Sequence, residues 1–375
     1  VYPSRKQIKK YIDPYRKKLY IRGNIERDIM QEENIRIAID AMGGDHAPGI
    51  TVEGACQISM ELPVKLILIG DEKLISSELE KHEYHADRIR IVHTPDAISM
   101  QESPKQAIAA KPDASVLLAA KLLRDGEADA MVSAGSTGAV ILSAASYIPR
   151  IPGVKRTALG TLIPTLNEKG GDDIYSLMLD IGANVSNTPD DLVHFAYMGI
   201  SYKKKLLNIS SPTVALLNIG AEDHKGNETM KTAYKLLSSR PDINFIGNVE
   251  GNDLVKGRVD IIVSEGLSGN IAVKTMEGVA ETVKKLAGKA MRGKLSWKLG
   301  LLLLSGGIKK VMKVAGYEAF GGAPVFGFDR LVVKCHGRST ALAFANGIKL
   351  AVRAVNDNMI PLMRDAISKY ESEKM

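Results

Sequence analysis

From residue 35 onward, short apolar runs alternate with longer segments whose apolar residues recur every three or four positions. The runs predict strands over 35–40, 64–70 (Val-Lys-Leu-Ile-Leu-Ile-Gly), 89–93, 129–133, 158–163, 175–181, 213–219, 243–247, 259–263 and 331–335. The longer segments predict helices near 50–60, 72–81, 114–125, 137–146, 190–204, 227–239, 271–292 and 340–356. Strands buried on both faces read as unbroken apolar runs rather than as alternation. The βα rhythm therefore predicts a three-layer α/β/α protein with a largely parallel sheet, residues 34–375 forming one domain. Residues 1–33 show no clean period and are expected to form a basic arm outside the fold, disordered or non-native. Met30 lies five residues before the first strand, which predicts that residues 1–29 are dispensable or absent from the native product.

Composition changes little until the charge is located. With 45% hydrophobic and 25% charged residues the chain is ordinary for a globular protein. Its two cysteines, Cys56 and Cys335, stand far apart without a CxxC, which points to a reducing cytosolic compartment and no zinc knuckle. No apolar run reaches membrane-spanning length, and no signal-peptide pattern opens the chain. Of the net charge of +7, residues 1–33 supply nine basic side chains against five acids, and residues 282–317 supply nine against none. The rest is therefore net acidic, which argues against a nucleic-acid surface and for two local basic faces.

The chemistry concentrates in loops after predicted strands. Asp40-Ala-Met-Gly-Gly-Asp-His-Ala-Pro48 places two carboxylates and an imidazole on a paired-glycine turn, where open parallel sheets hold ligands. A plain strand-to-helix connection is the simpler reading of that loop. Five more small-residue loops follow: Ser133–Gly138, Asp180–Asn184, Asn218–Glu228, Gly247–Gly251 and Ser264–Asn270. Helix capping alone explains Ser, Thr and Asn at any one of them. Six together predict a site for an anion such as phosphate, since amides at helix N-termini attract negative charge and small residues admit a ligand to the backbone. Lys225 is either a surface lysine or the cation of this site, and Asn270 is either an N-cap or a partner for phosphate or a carbonyl oxygen. His336 either joins the site or satisfies backbone, and Arg338 offers a fork to an oxyanion. Asp45, Gly135, Ser136, Thr137, Asn184, Asn227, Asn248 and Gly269 complete the candidate binding set, with His46 a candidate catalytic hydrogen-bond donor. There is no GxxxxGK[ST], GxGxxG or GxSxG; His82 and His85, among Glu80, Lys81 and Glu83, read as a solvated helix face. No cofactor and no metal is expected.

Asp40–Pro48, Ser133–Gly138, Leu179–Val185, Leu217–Glu228, Asn244–Glu250, Gly269–Gly278, Tyr317–Gly327 and Lys334–Ser339 together resemble the bacterial phosphate acyltransferases of the PlsX family, in order from about 35 to about 356. The resemblance implies acyl transfer from acyl carrier protein to inorganic phosphate, giving acyl phosphate for phospholipid synthesis. It also implies a fold similar to isocitrate and isopropylmalate dehydrogenases and phosphotransacetylases. Further implications are a cytoplasmic homodimer at the membrane periphery, a downstream membrane glycerol-phosphate acyltransferase as partner, and a protruding helical hairpin at about 276–316. Three features depart from the family pattern: Ser136 where Asn is usual, Ala107–Ser115 without the usual basic residues, and the basic arm.

The residues suit that reaction. Phosphate is a strong enough anion to need little general-base help, and a thiol of pKa about 8.5 is a tolerable leaving group. A missing Ser-His-Asp triad is then no objection, because positioning and oxyanion stabilisation do the work. Lys225 is expected to neutralise phosphate or oxyanion, Asn270 and the 265–270 backbone to orient it, and Asn184 and Asn227 to hold the second reactant. Leu295, Trp297, Leu299 and Leu303, flanked by lysines, suit a membrane interface, an acidic carrier protein or a dimer-packing helix pair. Rival functions are a short-chain phosphotransacetylase using acyl-coenzyme A, a dehydrogenase, and a non-catalytic peripheral membrane scaffold.

Overall fold

The computed structural model describes residues 34–171, 173–291 and 321–374. The basic arm, Asp172 and the stretch 292–320 with Leu295, Trp297, Leu299 and Leu303 lie outside the described residues. So does most of the hairpin expected at 276–316.

The chain begins β1 (Arg36–Asp40), α1 (Gly49–Glu61), β2 (Lys65–Gly70), α2 (Glu72–Leu79), β3 (Ile89–His93). Next come α3 (Pro104–Ala110), α4 (Ser115–Arg124), β4 (Ala130–Ser133), α5 (Thr137–Tyr147), β5 (Ala158–Pro164), β6 (Tyr175–Leu179) and α6 (Pro189–Leu206). Then follow β7 (Thr213–Leu217), α7 (Glu228–Ser238), β8 (Asn244–Val249), β9 (Ile261–Val263) and α8 (Gly266–Met291). The described residues close with β10 (Gly322–Phe326), β11 (Leu331–Cys335), α9 (Ala341–Asn356) and α10 (Met359–Lys374).

Local chemistry explains several of these boundaries. Helix α6 starts on a capping box in which Thr188 and Asp191 satisfy each other's backbone, with Pro189 at the first turn and Lys203, Lys204 and Lys205 at the last. Helix α7 is capped by Asn227 and buries only Met230, Ala233 and Leu237, one face at helical spacing. Thr340 caps α9 through the amide of Ala343.

The strands form one sheet in the order β3-β2-β1-β4-β11-β10-β5-β6-β9-β7-β8. Strands β3, β2, β1, β4 and β11 are parallel, as are β6, β9, β7 and β8. Between the sets, β10 is antiparallel to β11 and β5, and β5 is antiparallel to β6. Three reversals make the two parallel sets run in opposite directions. Helices α1, α6, α7, α9 and α10 cover one face in a single large core that includes Phe195, Phe344 and Met363. Helices α3, α4 and α5 cover the other face around Val116, Val140 and Val332, and α8 joins them through Ala272, Val273 and Met276. The expected three-layer architecture is thus present.

Three elements escape the sequence pattern: β10, α3 and α10. Strand β10 reads Gly-Ala-Pro-Val-Phe, and its glycine and proline disguise a strand whose partners lie on both sides. Helix α8 begins five residues before the expected 271, so Asn270 lies inside the first turn and is not its N-cap.

Candidate active site

The opposed strand directions bear directly on where the six loops meet. Loops after β1, β4 and β11 leave one end of the sheet, and loops after β6, β7, β8 and β9 leave the other. At the centre the two ends come close. Gly322 of β10 pairs with Cys335, while Val325, three residues on, pairs with Leu159, whose carbonyl receives the Ile181 amide. Three strand residues span about 10 Å. Helix α8 crosses that gap on the α5 side. Its Asn270 side chain lies against Gly182, and one and two turns on, Lys274 and Glu277 act electrostatically on His336. Asn270, Lys274 and Glu277 are exposed and, at i, i+4 and i+7, share one helix face beside the partly buried Val273 and Met276.

The first loop cluster is built on a buried carboxylate. Asp40, 2% exposed, accepts from Ser115 Oγ and Ser133 Oγ at 2.6 Å each and from the amides of Met42 and Gly43. Burial pushes its pKa up and these donors pull it back. A side chain at Gly43 would land 2.3 Å from the Asp40 carboxylate and 2.8 Å from the Gly135 amide. Gly44 adopts φ +118° against Ala134 and Gly337. The amide of Asp45 then donates to Gly337 O at 2.9 Å, so the β1, β4 and β11 loops are fastened together. Asp45 and His46 are exposed on this rim. Ser136 caps α5 through the Ala139 amide at 3.3 Å, with Thr137 the first helical residue. His336 Nδ1 accepts from the Arg338 amide at 3.1 Å. Burial lowers its pKa, so the ring is neutral at pH 7 with its proton on Nε2.

The second cluster is built on Asp180. Its Oδ1 accepts from the amides of Leu159, Gly182 and Ala183, and its Oδ2 from the amide and the side chain of Asn184. Here burial again raises the carboxyl pKa and five donors oppose it. Ser264 Oγ donates to the Asp180 carbonyl at 2.7 Å. A Cβ on Gly269 would sit 1.9 Å from that carbonyl oxygen, and one on Gly266 2.1 Å from the Asn184 carbonyl oxygen. Glycine is what lets α8 start against the β6 loop.

These contacts sort the expected site residues. Asp45, Gly135, Ser136, Thr137 and His336 come together, with His46 beside them; Asn184, Gly269 and Asn270 come together at the start of α8. Lys225 and Asn227 lie on the next loop, tied to α8 by Asn227 Nδ2 donating to Glu265 at 2.9 Å. Asn248 is buried behind the same loop and donates to its Glu222 carbonyl at 2.7 Å. Asn184 donates to both Thr157 O and Asp180, and Asn227 Oδ1 caps α7, so these two amides are spent on holding loops. Lys225 is half-buried, its stem packed against Gly220, and no ion pair engages it among the described residues. Two shallow cavities, of about 400 and 310 Å³, lie elsewhere, one lined by Arg36, Lys65 and Arg90 and one by Glu53, Cys56 and His82. We place the site, called the trough below, between α8 and the β11 loop because the glycine contacts and charged groups converge there.

One buried charged group beside these loops escaped the sequence reading. Lys334, 8% exposed at the end of β11, stands beside this trough, and burial lowers its pKa to about 8. The signal was a lone lysine ending an otherwise apolar strand, Leu-Val-Val-Lys-Cys.

The trough can bind and polarise. It offers backbone amides, a neutral imidazole, cations and the uncommitted side-chain amide of Asn270, and the described residues contain no cluster of His, Cys, Asp and Glu suited to a metal.

Comparison with known proteins places this geometry. The sequence model of a family described as fatty acid synthesis protein matches residues 35–362. The phosphate acyltransferase of Dictyoglomus turgidum is 46% identical over 322 residues, 86% of this chain and 94% of the relative. That of Oceanobacillus iheyensis is 42% identical over 342 residues, 90% of this chain and 100% of the relative. Among solved structures, a phosphotransacetylase from Streptococcus pyogenes shares the fold with a TM-score of 0.59 at 18% identity, covering 91% of this chain and 99% of that one. A second, from Staphylococcus aureus, gives 0.55 at 17% identity, covering 89% and 97%.

Proposed function

Because the chain belongs to the fatty acid synthesis protein family and matches phosphate acyltransferases along nearly their whole length, we propose that it transfers a long-chain acyl group from acyl carrier protein to inorganic phosphate. The product is an acyl phosphate, an activated acyl donor for phospholipid synthesis. Phosphate oxygen attacks the thioester carbonyl, a tetrahedral oxyanion forms, and the carrier thiolate leaves with the electrons of the C–S bond. The single observation that carries the reading is the convergence on α8 of glycine-fastened loops, with Asn270 and Lys274 exposed on one face of that helix.

Within it, Asn270 orients phosphate or oxyanion from the first turn of α8, and Lys225 neutralises the developing charge. His46 on the opposite rim donates to phosphate or to the departing sulfur. Asn184 and Asn227 act through the loops they hold. The protein works as a cytoplasmic homodimer at the membrane surface and passes acyl phosphate to a membrane glycerol-phosphate acyltransferase. Support for peripheral binding is the acid-free, lysine-rich sequence 282–317 with its leucines and tryptophan, together with the absence of a membrane-crossing helix among the described residues.

The test is to incubate the full chain with long-chain acyl carrier protein, with and without phosphate, trap acyl phosphate with hydroxylamine, and repeat with acetyl-coenzyme A. Phosphate-dependent product that strongly favours the carrier-borne chain is expected. Preference for acetyl-coenzyme A would make the enzyme a short-chain phosphotransacetylase, and no product with either donor would leave a scaffold.

A further inference from the structure

We propose that Lys334 is the cation that holds inorganic phosphate, making the carboxyl ends of β4 and β11 the phosphate subsite; this rests on the acyl-to-phosphate reading above. Register puts Lys334 in one row with Ser133 and Asp40, since Ser133 pairs with both across β4. Paired residues of parallel strands point to the same face, here the face that α5 covers as it leaves the β4 loop.

The other buried lysine among the described residues is treated differently: Lys203, fully buried, is paired to Asp173 at 2.6 Å. Lys334 is nearly as buried, yet among the described residues no carboxylate lies within ion-pairing distance, and its ammonium donates only to the Cys335 carbonyl. Asp40, its nearest acidic neighbour along the row, is already satisfied by two hydroxyls and two amides. The nearby Lys274 adds a second positive charge, with its own ammonium taken by Glu277 at 2.6 Å. A desolvated cation without a counter-ion is unfavourable unless an anion completes it. The N-terminus of α5, an eleven-residue helix beginning two residues after Gly135, adds an anion-attracting end to the same loops. Phosphate at this point lies across the trough from Asn270, which leaves Lys225 for the thioester oxyanion.

The direct test compares the unmodified chain with Lys334→Met and Lys334→Arg. The Michaelis constant for phosphate should rise about 10–100-fold in Lys334→Met, the worth of one charge-assisted contact, and be partly restored in Lys334→Arg. The constant for acyl carrier protein should stay within about twofold. A phosphate constant unchanged in Lys334→Met, or a rise in the carrier constant instead, overturns the assignment. If the chain forms no acyl phosphate at all, the activity reading fails separately. The upshift of thermal unfolding by phosphate over chloride, present in the unmodified chain and absent in Lys334→Met, still decides the subsite.

If both variants fail to fold, the unmodified chain supplies a third readout. The titratable and charged groups acting on Lys334 are Cys335, Lys274 of α8, Asp45 and Asp40, with His336 of the following loop in turn feeling its charge. Cys335 is pushed up to about 12 and does not titrate near pH 8. Phosphate affinity should therefore weaken as pH rises through about 8, where Lys334 loses its proton. Affinity that holds or strengthens through that range refutes the proposal.

Discussion

Replacing Asp180 by asparagine tests whether the β6 loop is held by a charge or merely by shape. The side chain keeps its volume, so packing is unchanged, but one oxygen becomes an NH₂ group. Placed at the Oδ1 position, that group would face the amides of Leu159, Gly182 and Ala183; at the Oδ2 position, the amide and side chain of Asn184. Asn184 cannot simply turn over, because its Nδ2 also donates to Thr157 O at 2.7 Å. At least two donors lose an anionic acceptor, at about 1.5–3 kcal/mol each. Removing a buried charge returns part of this, so Asp180→Asn should lose about 3 kcal/mol of stability. Urea unfolding followed by circular dichroism should show a lower midpoint with unchanged slope, and Tm should fall by about 4 °C. Because Gly182 lies against Asn270, acyl-phosphate formation should fall even where the variant is fully folded. A midpoint and a rate both equal to the unmodified protein's would refute the reasoning.

Gly269→Ala, whose methyl would meet the Asp180 carbonyl oxygen at 1.9 Å, should reduce activity at least about tenfold by displacing the first turn of α8. Gly278→Ala, two turns further along the same helix with open space around its Cβ, should raise helix stability by about 0.5–1 kcal/mol and leave activity alone; equal effects of the two in an activity assay would contradict the close approach at Gly269. Lys334 titrates at about 8 in the folded chain against 10.5 as the ordinary value, so between these the unfolded state binds the extra proton and stability rises with pH. Chemical unfolding from pH 7.5 to 10 should recover up to about 3 kcal/mol from this group, and Lys334→Met should lack that rise and be the more stable protein near pH 7.5.

The architecture was legible because both parallel sets announce themselves as apolar runs, such as Val64–Gly70, followed by helical spacing. Strand β10 was not, since Gly322 and Pro324 belong to turns in any local reading and the strand exists only through its neighbours. Helix α10 places Met359, Met363, Ile367 and Tyr370 at helical intervals, but Pro361 and the charges between them break up the apolar pattern. The loops that build the site were all readable, but their grouping was not. Nothing local to Asn184 or Asn227 reveals that an aspartate or a helix amide already occupies it. Lys334 hid in an apolar run because only the pairing of β11 with β4 shows what it lacks.

The central claim, that the loops around α8 form the acyl-phosphate-forming site, is tested most directly by kcat/KM of Lys225→Ala and Asn270→Ala with acyl carrier protein and phosphate. Both residues are free of ion pairs and hydrogen bonds from their side chains among the described residues, so Tm should stay within about 2 °C of the unmodified chain. Each variant should lose about 10²–10³ in rate, the scale of one oxyanion contact. Near-normal acyl-phosphate formation in both would contradict the account.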